Sequence, residues 1–93
     1  MAKQDIMFIS PETWTQITDA DVTAITFQNR GKGHVFVVGT DGTAPTGYTG
    51  FRYNPGQGER NTALSDLYPG GSATRVWVYA PTAYGAEVFV SHA

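Results

Sequence analysis

The sharpest alternation of apolar and polar positions runs over residues 73–80. Val76 and Val78 fall on one side, and Arg75, Trp77 and Tyr79 on the other. A period of two belongs to a strand, whose successive side chains point to opposite faces, and not to a helix. Residues 22–28, with Ile25 and Phe27 on one face, and residues 35–38, 51–53 and 86–91 are further runs rich in β-branched and aromatic side chains. Turn formers close each run. Asn29-Arg30-Gly31-Lys32-Gly33 is predicted to join 22–28 to 35–38 as a hairpin, and Asp41-Gly42 is a favoured type I′ pair. Residues 44–50 form a loop. Asn54-Pro55-Gly56 places proline at its usual second turn position. Residues 59–68 are ambiguous, because Leu64, Leu67 and Tyr68 have helical spacing in a short segment. They read as a strand through Ala63-Leu64 followed by a single turn at Ser65-Asp66-Leu67. Thr18-Asp19-Ala20-Asp21 reads as a turn rich in side-chain acceptors, or as one helical turn capped by Asp19.

The expected architecture is all-β: a small antiparallel sandwich or jelly-roll-like barrel of about seven or eight strands, with turns every ten residues or so. Its expected core is Ile25, Phe27, Val35, Val37, Leu64, Val76, Val78, Val88 and Val90, with Trp77 partly covered. Residues 14–93 form that single domain. Residues 1–13 read as an N-terminal arm, because Pro11 interrupts the chain before the first confident strand. Ile6, Met7, Phe8 and Ile9 then lack cover. Two arrangements supply it. The arm adds a strand to a neighbour's sheet edge, or it pairs within its own sheet.

Composition narrows the picture. Ninety-three residues hold one core, and a chain this size buries roughly 60–65% of its unfolded surface. There is no cysteine, which excludes disulfide staples and Cys-ligated zinc. Small unstapled β domains often gain stability by association. The formal net charge is −2 and the six basic residues are scattered, unlike the one-sided basic face of a nucleic-acid binder. Four apolar residues near the N-terminus are too few for a signal-peptide core or a membrane span. Charged residues make up 15% of the chain, against about 25% in an average domain. So light a charge favours a covered surface, hence a protein interface.

Candidate chemistry is sparse. Gly31-Lys32-Gly33-His34 lacks the length and the following helix of a phosphate loop, and Gly56-Gln57-Gly58 lacks the third glycine of a dinucleotide fingerprint. His34 and His92 read as two surface histidines. Ser65, His34 and Asp66 do not suit a hydrolase triad, because adjacent Ser and Asp cannot easily flank one imidazole. Asp19, Asp21 and Asp41 suit turn capping better than calcium, which takes six or more oxygens. No catalytic residue, cofactor or metal is assigned. Trp14, Trp77, Tyr48, Tyr53, Tyr79 and Tyr84 are candidates for a sugar-stacking platform or for packing.

Taken together, Ile25-Thr26-Phe27-Gln28-Asn29, Gly50-Phe51-Arg52-Tyr53-Asn54-Pro55-Gly56, Leu67-Tyr68-Pro69-Gly70, Arg75-Val76-Trp77-Val78-Tyr79 and Val88-Phe89-Val90-Ser91-His92-Ala93 resemble small β-sandwich structural proteins of tailed bacteriophages, of the capsid decoration (cement) or head-fibre-base type. The resemblance spans residues 22–93 and is one of strand and turn style, without a diagnostic motif. It implies a non-enzymatic virion component on the capsid exterior, present in the host cytoplasm during assembly. Its implied partners are the major capsid protein and sister copies in a trimer, with neither nucleic acid nor membrane. The expected interface residues are Ile6, Met7, Phe8, Ile9, Tyr48 and Tyr84. The alternative is a tail or fibre module that binds host-surface glycans.

Overall fold

β-Branched and aromatic side chains favour extended backbone, and glycine, proline and asparagine interrupt it. The chain obeys both tendencies in a computed structural model that describes residues 2–93. Its elements are β1 (Lys3–Ile9), β2 (Trp14–Gln16), β3 (Ala24–Asn29), β4 (Val35–Thr40), β5 (Phe51–Tyr53), β6 (Gly58–Ala63), α1 (Leu64–Leu67), β7 (Arg75–Tyr79) and β8 (Ala86–His92). The strands form two antiparallel four-stranded sheets, ordered β1-β8-β3-β6 and β2-β7-β4-β5. The fold is a β-sandwich. α1 is the single turn expected near Ser65, and it presents Leu64 to the core.

All nine residues expected in the core are buried, and Trp77 is half-buried. Ile9, Ile17, Val22, Tyr53, Ala80 and Ala86 join them. β6 carries an extra residue against β3 between Ile25 and Phe27. Asn61 lies in that irregularity with φ of 43°, a backbone region that asparagine tolerates better than most residues. Its N–H is taken by Thr26 Oγ1 at 2.8 Å.

The structure departs from the sequence expectations at three places. Residues 1–13 do not stand apart as an arm. β1 pairs with β8 along its whole length, from Lys3 opposite His92 to Ile9 opposite Ala86. Ile9 is wholly buried in the core, and Met7 packs against it. Met1 lies outside the described residues. Second, β3 and β4 form no hairpin. Both sides of β3 are occupied, by β8 and β6, so residues 30–34 cross to the other sheet. Third, Asp41-Gly42 does not make a two-residue turn, because β4 pairs with β5 across the long loop 41–50.

The crossing after β3 is held by one buried amide. Asn29 is 1% exposed. Its Nδ2 donates to the carbonyls of Gly33 (2.9 Å) and Tyr53 (3.1 Å), and its Oδ1 accepts the Gly31 N–H at 2.9 Å. Its backbone N–H donates to Gln57 and its carbonyl accepts from Gly56. The last residue of β3 in one sheet is thus tied to the end of β5 in the other.

Two stability measurements check this packing. Val78→Ala removes two methyl groups from a fully buried site and is expected to cost about 2 kcal/mol in urea unfolding. Unchanged stability would place Val78 outside the core. Asn29→Ala leaves two carbonyls and one N–H without their partner and is expected to cost about 3 kcal/mol. Asn29→Asp should cost at least as much, because a carboxylate cannot donate to either carbonyl. A loss under about 1 kcal/mol for Asn29→Ala would mean that water replaces the amide.

Candidate functional site

Strand alternation gives β1 two different faces. Met7 and Ile9 turn inward, whereas Ile6 is 45% and Phe8 61% exposed. Ile6 lies opposite Phe89 of β8 and Phe8 opposite Glu87. Phe89 is half-buried between the buried Val88 and Val90, so it shares the outer face.

The backbone of the same strand is also divided. The Arg30 N–H donates to the Glu87 carbonyl at 2.8 Å, so Glu87 and, by alternation, Phe89 and Ser91 direct their backbone groups toward β3. Val88, Val90 and His92 therefore face β1, where their partners are Met7, Asp5 and Lys3. The N–H and C=O groups of Gln4, Ile6 and Phe8 are left on the opposite edge. Among the described residues no strand pairs with that edge. One of its donors has a local partner: the Ile6 N–H donates to Asp5 Oδ1 at 2.8 Å.

At the Phe8 end the edge opens into a cleft of about 560 Å³, lined by Phe8, Arg30, Lys32, Tyr84, Gly85 and Glu87 among others. Tyr84 is 60% exposed. The turn that presents it is closed by the Thr82 hydroxyl, which donates to the Gly85 carbonyl at 3.0 Å. Gly85 has φ of +73°, and a Cβ there would strike the Ile9 carbonyl and come within 2.8 Å of the Phe8 ring. Only glycine lets the turn lie this close under Phe8.

Charge is uneven around this face. Lys3 is paired with Asp19 and Arg75 with Asp21, each at 2.8 Å. These bonds lower the pKa of both aspartates, Asp19 chiefly through Lys3 and Asp21 chiefly through Arg75. Arg30 and Lys32 form no ion pair among the described residues. The cleft therefore carries two cations against the single carboxylate of Glu87, on a chain whose net charge is −2.

The other sheet has an aromatic outer face. Trp14, Tyr79, Phe36 and Arg52 lie in one row across β2, β7, β4 and β5. The loop 41–50 folds over that row. Tyr48 packs against Phe36 (5.8 Å between ring centres) and Tyr79 (5.3 Å), and Trp14 Nε1 donates to the Gly47 carbonyl at 3.1 Å. The neighbouring Tyr48 hydroxyl raises the Tyr79 pKa. Tyr53 is buried and Tyr68 half-buried, and both phenols have raised pKa values, from desolvation first and then the Glu59 carboxylate. Tyr53 donates to Glu59 at 3.0 Å and Tyr68 to the Val37 carbonyl at 3.3 Å.

Of the six expected interface residues, the structure gathers Ile6, Phe8 and Tyr84 on one side of the molecule. Met7 and Ile9 belong to the interior, and Tyr48 lies on the other sheet. Arg30, Lys32, Gly85 and Glu87 escaped the sequence reading. Gly31-Lys32-Gly33 reads in the sequence as part of a hairpin turn, and nothing in the chain places it beside Tyr84. His92 is not a surface residue: it is buried, and its Nε2 accepts the Asp19 N–H at 3.2 Å. His34 is half-buried and packs edge-on against Phe36. Among the described residues no group of three or more His, Asp or Glu side chains is placed to hold a metal ion. No protein-family model matches the chain, and comparison with curated proteins and with solved structures finds no match.

The cleft geometry has a direct check in Gly85→Ala. The substitution puts an alanine at positive φ, which costs about 1–2 kcal/mol, and adds the collision with the Ile9 carbonyl. A loss of at least about 2 kcal/mol is expected. Gly70→Ala, with open space around its Cβ and ordinary φ, should stay within about 0.5 kcal/mol. Similar values for the two would show that the turn does not press on β1.

Proposed function

We propose that this protein is a non-enzymatic structural component of a tailed-phage virion, a capsid decoration (cement) protein that binds and stabilises the outer capsid surface. The observation that carries the reading is the unpaired edge of β1 with Ile6, Phe8 and Tyr84 turned to solvent beside it. A 93-residue domain gains nothing in its own stability from exposing three large apolar side chains in one place, and patches of this kind mark interaction sites. The partner is the major capsid protein. Sister copies associate as a trimer, which would cover further open edges at β2, β5 and β6. The resemblance in strand and turn style supports the same assignment.

A second reading has its own observation. Tyr48 is 69% exposed above the aromatic row on the other sheet, and aromatic faces stack on sugars. In that reading the protein is a tail or fibre module that binds host-surface glycans. The rings of the row are already engaged with one another and with their own loop, which leaves Tyr48 as the main free face.

Electron cryomicroscopy of particles carrying the chain decides between the two by location. On the decoration reading, density lies on the capsid exterior. The double variant Phe8→Ala/Tyr84→Ala then lowers shell occupancy at least about tenfold, equivalent to 1.4 kcal/mol, while the melting midpoint moves only a few degrees. Density at the tail, with glycan binding abolished by Tyr48→Ala, would replace it with the second reading. Sedimentation of a 10.0 kDa monomer at every concentration would remove the trimer.

A further inference from the structure

We infer that the open edge of β1 is a strand-acceptor site for an extended, acidic and apolar segment of a partner protein, with the Phe8–Tyr84 cleft as its side-chain pocket. The inference deepens the reading of the protein as an attachment module, and it makes the β1 edge and its cleft, not the aromatic face, the point of attachment.

Three features converge on that occupant. The backbone groups of Gln4, Ile6 and Phe8 point outward in an uninterrupted row, and an added strand satisfies such a row. The side chains that flank this row on the outer face are Ile6 and Phe8, so alternate residues of an incoming strand meet an apolar surface. At the end of the row the cleft supplies Arg30 and Lys32, neither of them paired, with only Glu87 against them. A carboxylate beside a bulky apolar side chain is the complement of that pocket.

Asp5 is the competitor. Its carboxylate occupies the Ile6 N–H, the middle donor of the row. Charged residues on an edge commonly keep strands from pairing indiscriminately. Here the guard is an exposed side chain that an arriving strand displaces. An acidic strand must also overcome the charge of Asp5, so Arg30 and Lys32 select where it docks.

The probe is a blocked hexapeptide that alternates threonine with valine and phenylalanine and ends in two glutamates, so that one carboxylate falls on the apolar face at the cleft, compared with the same peptide carrying lysine for glutamate. The intact protein, labelled with nitrogen-15, is titrated with each up to about 1 mM and the amide shifts are followed. The glutamate peptide is expected to move the amides of Gln4, Ile6, Phe8, Arg30 and Lys32, and the lysine peptide to bind at least about tenfold more weakly. Ile6→Pro removes only the outward N–H and leaves the β8 ladder intact, since proline is tolerated on an edge with that side to solvent. It should abolish binding, while Ile6→Ala reduces it only in part. Asp5→Ala should tighten binding about threefold, because the Ile6 N–H is released.

Silence of both peptides overturns the site. So do equal affinities, shifts that map to another face, or undiminished binding by Ile6→Pro. A concentration-dependent dimer that Ile6→Pro abolishes assigns the edge to a sister copy and overturns the partner-segment assignment. None of these readouts involves a virion. Failure of capsid decoration therefore leaves this site standing, and decoration that survives Ile6→Pro removes this site alone.

Discussion

The side-chain amide of Asn29 is the constraint on which the arrangement of the two sheets depends. A primary amide buried to this degree is costly unless both its N–H donors and its oxygen are engaged. Here every polar group of the residue, backbone and side chain, has a partner. The partners come from the crossing 30–34, from the end of β5 and from the turn before β6. No aliphatic residue meets those demands, and aspartate offers acceptors where donors are needed. The amide therefore selects one crossing geometry, and the crossing determines which sheet β4 enters.

Once β4 has entered the second sheet, most of the remaining order follows. β5 returns beside β4, the only strands consecutive in the chain that pair within one sheet among the described residues. The chain then recrosses to β6, passes through α1 and crosses again to β7. β8 comes back to lie between β1 and β3. A chain that crosses at nearly every connection brings its two terminal strands side by side. Ile9 is then covered by residues far away in sequence, and removing β1 would open one side of the core. Non-local pairing of this kind closes long loops before contacts reward them, which makes such folds slow to form.

How far the sequence reveals this can be argued residue by residue. The runs of β-branched and aromatic residues locate β3, β4, β5, β7 and β8 but not β1, β2 or the start of β6, and the inward positions Ile25, Phe27, Val35, Val37, Val76, Val78, Val88 and Val90 are all buried. That information is local. What the alternation does not encode is sheet membership, because a hairpin and a crossing between sheets both follow a strand with a polar, glycine-rich turn. Asn29-Arg30-Gly31-Lys32-Gly33 therefore reads as a hairpin until the Asn29 partners are seen. His92 was hidden for a related reason: a terminal residue is usually mobile, and only the pairing of β8 with β1 brings it beside Asp19. At the site, Phe8 and Tyr84 stand out as apolar residues without cover. Arg30 and Lys32 become relevant only because the crossing held by Asn29 lies next to the turn at Gly85.

On the proposed attachment reading, β1 shows why stability and attachment are hard to separate in so small a sandwich. Its inward residues close the core and its ladder completes a sheet, so it cannot be an arm that detaches to bind. Its outward residues and outer edge do nothing for the isolated domain, and among the described residues no further strand covers them. An edge strand that is needed for folding is also held rigid by folding. A rigid edge loses little conformational entropy when a partner strand is added, whereas a free arm would have to be ordered at that moment. Burying the outer face of β1 therefore requires only that the partner be extended and that Asp5 give way. The aspartate sits at the Ile6 N–H in the middle of the edge and the two unpaired cations in the cleft at its Phe8 end; on the strand-acceptor inference, the edge is closed to most strands and open to one whose charge Arg30 and Lys32 receive.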